Sequence, residues 1–308
     1  MKGSILMKQT LTLTLLIFIL LSLSQSQAVA QNRSKSTTTS TQTVESRVPS
    51  NLVNIPKYTG TPPKILGTSS GIVYDVDALN ATTSNARTPR DSGQSVYEFI
   101  GFAFSSNNTL YGVTSAFSTN PVWRSRLFTI SPNNTFSTLG IGPSLNYNGN
   151  PFYCIDGDLA YDKMLPGYMY ATCNDNGTWR LITIKLSNGA VTFKGQLPAA
   201  SGIYGNPTYA ALAFNPAGEL YTLDTYNKKL YKVNKNNASV ISAIALTGPL
   251  PIPSTTGSMS FSASGGLYAS FGGKLVVIDI ANGAVGVIGN DSFTGLIVSG
   301  GSGPFRQN

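Results

Sequence analysis

The feature that most constrains this chain is a unit of four short strands that recurs four times. Each copy has an apolar strand with a small residue before an aromatic, a turn, a second strand, a hairpin, a third alternating strand and a fourth. The first copy holds Gly101-Phe102-Ala103-Phe104, Leu110-Tyr111-Gly112-Val113, Leu127-Phe128-Thr129-Ile130 and Phe136-Ser137-Thr138-Leu139. The second runs from Asp158 to Tyr161, Tyr168 to Ala171, Leu181 to Ile184 and Val191 to Lys194. The third spans Ala211 to Pro216, Glu219 to Asp224, Lys229 to Val233 and Val240 to Ile244; the fourth spans Ser258 to Phe261, Gly266 to Ala269, Leu275 to Asp279 and Ala284 to Ile288. Counted from the aromatics Phe104, Tyr161, Phe214 and Phe261, the unit returns about every 50 residues, the spacing of β-propeller blades. A β-sandwich would leave four in-register copies of one unit without a reason.

The two ends complete the pattern. Thr294 to Ser299 reads as a first strand with nothing after it, while Lys64 to Gly67 and Gly71 to Asp77 read as second and third strands with nothing before them. Joined, they make a fifth blade from both termini, which closes the ring and removes a free radial edge. The expectation is an all-β propeller of five four-stranded blades over residues 63–299, with six blades the alternative. Its weak element is the fifth blade's outermost strand: Ala78 to Ser95 is polar, interrupted by Pro89 and Gly93, and lacks alternation. The strands Leu212-Ala213-Phe214-Asn215-Pro216 and Glu219-Leu220-Tyr221-Thr222-Leu223-Asp224 resemble the repeat of NHL-like and related extracellular propellers. That resemblance covers roughly Lys64 to Ser299 and implies architecture alone. Those families include enzymes, binding modules and scaffolds, so no catalytic residue carries over from it.

The N-terminus points to export. Lys2 and Lys8 form a basic region, an apolar run covers Leu11 to Leu23, and Ala28-Val29-Ala30 is a small-residue cleavage site, so residues 1–30 read as a signal peptide. Its apolar run is shorter than the roughly 20 residues that span a bilayer. Residues 31–62 form a Ser/Thr-rich flexible arm, within which residues 51–58 regain apolar character at Leu52, Val53, Ile55 and Tyr58. Residues 300–308 read as a flexible tail. Asn-x-Ser/Thr sequences begin at Asn32, Asn80, Asn107, Asn133, Asn176, Asn237 and Asn290, none with Pro in the middle, which suits N-glycosylation in an exported chain. In that oxidising compartment Cys154 and Cys173, the only two cysteines, are expected to form a disulfide.

Composition narrows the chemistry further. The chain has no histidine, which removes Ser-His-Asp and Cys-His catalysis and the commonest zinc ligand. Its formal charge of +8 falls to +6 once Lys2 and Lys8 are removed with the signal peptide, and the remaining basic residues form no dense cluster. Nucleic acid and membrane insertion are therefore not expected, and no cofactor, metal or catalytic residue is assigned. The candidate ligand-binding residues are Glu98, Asp156 and Asp158, a carboxylate set that would suit a glycosidase or lyase without histidine, and the aromatic platforms Trp123 and Trp179. Turn roles for the acids and core packing for the aromatics are the commoner uses of such residues. Asp156-Gly157-Asp158 lacks the further ligands of a calcium loop.

The expected function is thus a secreted, N-glycosylated, non-enzymatic propeller that acts as an extracellular structural or interaction module. Its partners would be other extracellular proteins or further copies of itself. An open edge on the fifth blade would accept Leu52, Val53, Ile55 and Tyr58 either from the chain's own arm, giving a monomer, or from a neighbouring molecule, building filaments head to tail. The alternative is a glycan-directed protein, either lectin or carboxylate enzyme, with its site at the mouth of the central channel.

Overall fold

The computed structural model describes residues 65–69, 72–88, 90–91, 94–95, 99–105, 109–114, 125–130, 139–154, 156–175, 177–198, 208–250, 257–290, 293 and 295–298. The expected signal peptide, arm and tail lie outside the described residues. In chain order the strands are β1 (Ile65–Ser69), β2 (Ile72–Val76), β3 (Thr83–Arg87), β4 (Arg90–Asp91), β5 (Gln94–Ser95), β6 (Phe99–Phe104), β7 (Leu110–Thr114), β8 (Arg126–Ile130), β9 (Leu139–Ser144), β10 (Asn146–Tyr147), β11 (Asn150–Pro151) and β12 (Gly157–Ala160). They continue as β13 (Tyr168–Asp175), β14 (Thr178–Lys185), β15 (Val191–Gln196), β16 (Ala211–Phe214), β17 (Leu220–Asp224), β18 (Lys229–Val233), β19 (Val240–Ala245), β20 (Gly257–Phe261), β21 (Leu267–Phe271), β22 (Lys274–Ile278), β23 (Val285–Gly289) and β24 (Gly295–Val298).

Twenty of these strands form five antiparallel sheets: β6 to β9 (blade 1), β12 to β15 (blade 2), β16 to β19 (blade 3), β20 to β23 (blade 4), and β24-β1-β2-β3 (blade 5). The inner strands touch in the cyclic order β6, β12, β16, β20, β24 and back to β6, so the molecule is a five-bladed β-propeller. Both termini build blade 5, with Ile65 opposite Val298 and Leu66 opposite Ile297. Two short pairs, β4 with β5 and β10 with β11, lie outside the blades.

Five apolar clusters fill the five seams between blades. The repeat's sequence follows from how each seam packs. A second-strand tyrosine lies opposite the small residue of the first strand: Tyr111 faces Ala103, Tyr170 faces Ala160, Tyr221 faces Ala213 and Tyr268 faces Ser260. The small side chain leaves room for the ring, which leans toward the next blade. Tyr170 meets Phe214 edge-on at 5.3 Å, and Tyr221 meets Phe261 at 5.4 Å. Tyr111 shares a cluster with Tyr161, and in blade 5 Leu66 takes the tyrosine position and packs with Phe104.

Farther out, backbone meets backbone, and one partner at each of four seams is glycine. A Cβ on Gly195 would overlap the carbonyl of Asn237, and one on Gly289 that of Asn80. At the alternate seams the turn supplies the glycine, with Gly189 against the Ser144 carbonyl and Gly283 against that of Ala245.

Two outer strands differ from expectation. In blade 1 the fourth strand is Leu139–Ser144, beginning where the expected Phe136 to Leu139 strand ends. Alternation misses it because Gly140 and Gly142 have no side chains to alternate; a Cβ on either would overlap the Thr129 side chain or the Leu127 carbonyl. In blade 5 the polar stretch does form a fourth strand, Thr83–Arg87, paired to β2 through Asp75 opposite Ser84 and Val76 opposite Thr83. Thr83 to Ala86 are all exposed, so the strand has no buried face to impose alternation. Asp75 anchors it instead, accepting the Asn85 side-chain amide at 2.7 Å and pairing with Arg87. The open edge on β2 that motivated a donated strand is therefore filled by the chain itself.

If the glycine seams are as tight as this geometry requires, Gly195→Ala lowers stability by about 1–3 kcal/mol. The check is the urea midpoint, and an unchanged midpoint would mean that the seam between blades 2 and 3 yields without cost.

Candidate functional site at the propeller axis

Five inner strands converging on one axis raise a problem of hydrogen bonding. The inner edge of each strand has no neighbouring strand, yet its N–H groups are buried and need acceptors. The residue three before the first-strand aromatic position is Gly101, Asp158, Ala211, Ser258 and Gly295 in blades 1 to 5. All are small except for one carboxylate, and Asp158 is 0% exposed. Its Oδ2 accepts the Leu212 N–H of blade 3 at 3.0 Å, and the Met259 N–H and Ser258 hydroxyl of blade 4 at 3.1 and 2.9 Å. Its Oδ1 accepts the Leu159 N–H at 2.9 Å. Ser258 Oγ accepts the Leu296 N–H of blade 5 at 2.9 Å. From blade 1, Gly101 approaches so closely that a Cβ there would collide with Asp158 Oδ1. One carboxylate and one hydroxyl thus join blades 2 to 5 by hydrogen bonds, and blade 1 packs against them through Gly101.

Burial holds the Asp158 carboxyl well above the ordinary aspartate range, while hydrogen bonds from Leu212, Leu159, Ser258 and Met259 pull the other way.

The cavity lies one step farther along the inner strands. Its volume is about 240 Å³, and the residues following the axial ring, Phe102, Leu159, Leu212, Met259 and Leu296, line it from all five blades. The turns that leave these strands form its walls, and a polar residue just after the aromatic fixes each described one. Asp162 Oδ1 accepts the Met164 N–H at 2.9 Å. Asn215 Oδ1 accepts the Glu219 N–H at 2.9 Å, and Ser262 Oγ accepts the Gly266 N–H at 3.0 Å. Asp162 is buried and receives Lys235 Nζ of blade 3 at 2.5 Å, which ties the wall of blade 2 to its neighbour. The turn held by Asp162 turns Met164 outward, 80% exposed on the cavity wall.

The candidate residues divide accordingly. Asp158 is on the axis, sealed and fully hydrogen-bonded. Asp156 precedes β12 and lies on the far side of Asp158 from the cavity, its carbonyl accepting the Asn174 N–H at 2.9 Å. Asp158 is sealed from solvent and Asp156 is not among the residues that line the cavity. Trp179 is buried between blades 2 and 3, with its ring 6.3 Å from that of Tyr209, so it offers no open platform. Glu98 and Trp123 lie outside the described residues. Cys154 and Cys173 form a disulfide, Cα to Cα 5.4 Å, that ties the lead into β12 to β13. Asn80, Asn237 and Asn290 are exposed; Asn32, Asn107, Asn133 and Asn176 lie outside the described residues. Sequence reasoning did not find Ser258, Asp162, Lys235 or Met164. Aligning the copies three residues before the aromatic would have exposed the axial ring, with Asp158 its single charge.

Residues 159–302 match a family profile described as a repeat of unknown function (DUF6923). A search of curated proteins gives no match. Among solved structures, a nidogen/laminin complex has a chain similar at 11% identity and TM-score 0.45, covering 77% of this chain and 98% of that one. Virginiamycin B lyase from Staphylococcus aureus is similar at 14% identity and TM-score 0.38, covering 72% and 68%. A luciferin-regenerating enzyme is similar at 13% identity and TM-score 0.43, covering 70% and 68%. The resemblance is one of architecture, and it includes enzymes alongside a protein of a binding complex.

The axis yields a prediction with a definite sign. Because the folded carboxyl titrates above its unfolded value, the contribution of Asp158 is complete below the unfolded pKa of about 3.9. It is lost as pH rises from there through the raised folded value. Asp158→Asn, which keeps an acceptor for blades 3 and 4, should flatten that slope. Asp158→Ala should cost on the order of 3 kcal/mol or more, by leaving several buried donors without partners. Denaturant unfolding from pH 3 to 8 reads both; equal slopes in wild type and Asp158→Asn would remove Asp158 as the source.

Proposed function

We propose that this chain is a secreted, N-glycosylated, non-enzymatic binding module whose protein partner docks on the cavity face. The observation that carries the reading is the apolar cavity itself, lined by all five inner strands and flanked by the exposed Met164. At about 240 Å³ it falls below the roughly 300–1,000 Å³ of small-molecule pockets. It suits one or two anchoring side chains of a partner, the usual centre of a protein interface. Secretion is supported by the signal-like residues 1–30 and by the disulfide. Among the described residues no helix is long and apolar enough to cross a membrane.

The placement of Asp158, Asp156 and Trp179 supports this reading over its competitors. A carboxylate enzyme at the channel mouth needs acids open to substrate, whereas Asp158 is sealed and Asp156 is displaced from the cavity. A lectin platform at Trp179 is closed by Tyr209. Head-to-tail exchange of Leu52, Val53, Ile55 and Tyr58 has lost the edge that invited it, because β3 covers β2; it is not part of this proposal.

The test is a binding screen of the secreted mature protein against arrays of extracellular protein domains and of glycans, repeated with the rim variant Met164→Glu/Ala217→Glu. Both positions are exposed, so the variant should keep the wild-type melting temperature and lose at least about tenfold in affinity for a captured protein, about 1.4 kcal/mol. Undiminished capture by the variant would move the site away from this face. Turnover of a glycan that disappears on Glu98→Ala or Asp156→Ala would replace the module reading with the enzyme one.

A further inference from the structure

Two of the Asn-x-Ser/Thr sequences occupy one and the same turn of the repeat. Asn80-Ala81-Thr82 joins β2 to β3, and Asn237-Ala238-Ser239 joins β18 to β19. In each, Asn Oδ1 accepts the N–H two residues on, at 2.8 Å from Thr82 and 3.0 Å from Ser239. It also accepts that residue's hydroxyl, at 2.7 and 2.8 Å. The middle alanine is buried with φ of +61°, and the asparagine is exposed. Blades 2 and 4 make the equivalent turn with Asn188-Gly189-Ala190 and Asn282-Gly283-Ala284, where Oδ1 again accepts the N–H two residues on, at 3.1 and 2.8 Å. The turn therefore needs the asparagine oxygen but not a serine or threonine. Asn237 Nδ2 makes no hydrogen bond among the described residues, so a substituent on it leaves the turn intact.

The strand after Asn237 differs from the outer strand of every other blade. Strand β19 is the outer edge of blade 3, and its sequence Val240-Ile241-Ser242-Ala243-Ile244-Ala245 contains no charge, no proline and no glycine. Val240 is 42% and Ile241 57% exposed. Three of the other outer strands carry a charge or proline of the kind that discourages pairing with a second chain, Arg87 in β3, Pro143 in β9 and Lys194 in β15, and the fourth, β23, is weakened as a strand by Gly286 and Gly289. Strand β19 alone among them has an apolar edge interrupted only by a bulge at Ile241, where β18 steps from Lys232 to Val233, and an edge without charge or proline is of the kind that pairs copies of a protein edge to edge.

We propose that Asn237 carries an N-linked oligosaccharide that shields this edge and keeps the protein monomeric. The transfer breaks one Nδ2–H bond and forms a bond from Nδ2 to the anomeric carbon of the sugar. The donor is a lipid-linked oligosaccharide diphosphate; its sugar–oxygen bond breaks, the diphosphate keeps the electron pair, and the proton passes to the transferase or solvent. Oδ1 retains its lone pairs, so both hydrogen bonds from Ser239 survive. The glycan then projects from a point three residues before Val240. This inference rests on the secretion reading and adds a site and a role to it.

The experiment uses the protein secreted from eukaryotic cells. Enzymatic glycan release in ¹⁸O-water followed by peptide mass spectrometry is expected to label Asn237. Ser239→Ala gives blade 3 the alanine that blades 2 and 4 carry and removes the acceptor sequence, while Ser239→Thr keeps it. Ser239→Ala should retain the melting temperature yet associate, by light scattering, at a several-fold lower concentration than wild type or Ser239→Thr. Adding Ile241→Lys should restore the monomer. An unlabelled Asn237 in a protein glycosylated elsewhere overturns the site, and a Ser239→Ala protein that stays monomeric overturns the shielding role. A protein without any glycan overturns the secretion reading and this inference together.

Discussion

Everything in this propeller depends on the hydrogen bonding of the inner strand edges. A strand can leave an edge unpaired where water reaches it, but five inner edges meeting on an axis exclude water and face one another too closely for a sixth strand. The chain meets this constraint with small residues at Gly101, Ala211 and Gly295, which let the strands approach, and with two acceptors, Asp158 and Ser258, which take the inward N–H groups of blades 2 to 5. Burying a carboxyl is costly, and its acidity is suppressed accordingly. In return the axis is closed by side chains, and the concavity beyond it has a floor.

The same economy of space runs outward through the blades. Near the axis, tyrosine rings lie over alanine or serine, and those of blades 2 and 3 touch the aromatic of the next blade. At the rim, where two backbones meet, one residue of each pair at four seams is glycine, supplied by the turn at Gly189 and Gly283 and by the preceding strand at Gly195 and Gly289. The asparagine turns that end the third strands then serve two ends. All four described ones close a hairpin through Oδ1, and those at Asn80 and Asn237 leave an exposed amide nitrogen in a sequence suited to glycan attachment.

How much of this was legible in the sequence depended on whether a residue's role is local. Alternating strands, the Asn188-Gly189 hairpin turn and the joining of Lys64–Gly67 to Thr294–Ser299 are stated by the sequence, because burial on one face leaves a period of two. Strand β3 was not, since an exposed strand anchored by Asp75 to Asn85 and Arg87 has no buried face to pattern it. Strand β9 was not, since Gly140 and Gly142 erase the pattern. At the site, Asp158 was visible as a candidate but for a different role. A carboxylate in a chain with few acids looks like chemistry, and only the convergence of Leu212, Met259 and Ser258 upon it identifies a structural acceptor.

The sequence by itself determined the propeller architecture and favoured five blades over six, because a repeat of four strands must bury a seam on each side and the two termini supply the strands of one further blade; the cyclic contacts of the inner strands fixed the number at five. It also carried the cysteine pair and the candidate glycan acceptors, which are local or compositional features. Tertiary structure decided what lies on the axis, where the cavity opens, which outer strand exposes apolar side chains and which aromatic faces are closed. Those properties arise between residues of different blades, Asp158 and Met259 being 101 positions apart, and no local pattern records a contact at that distance.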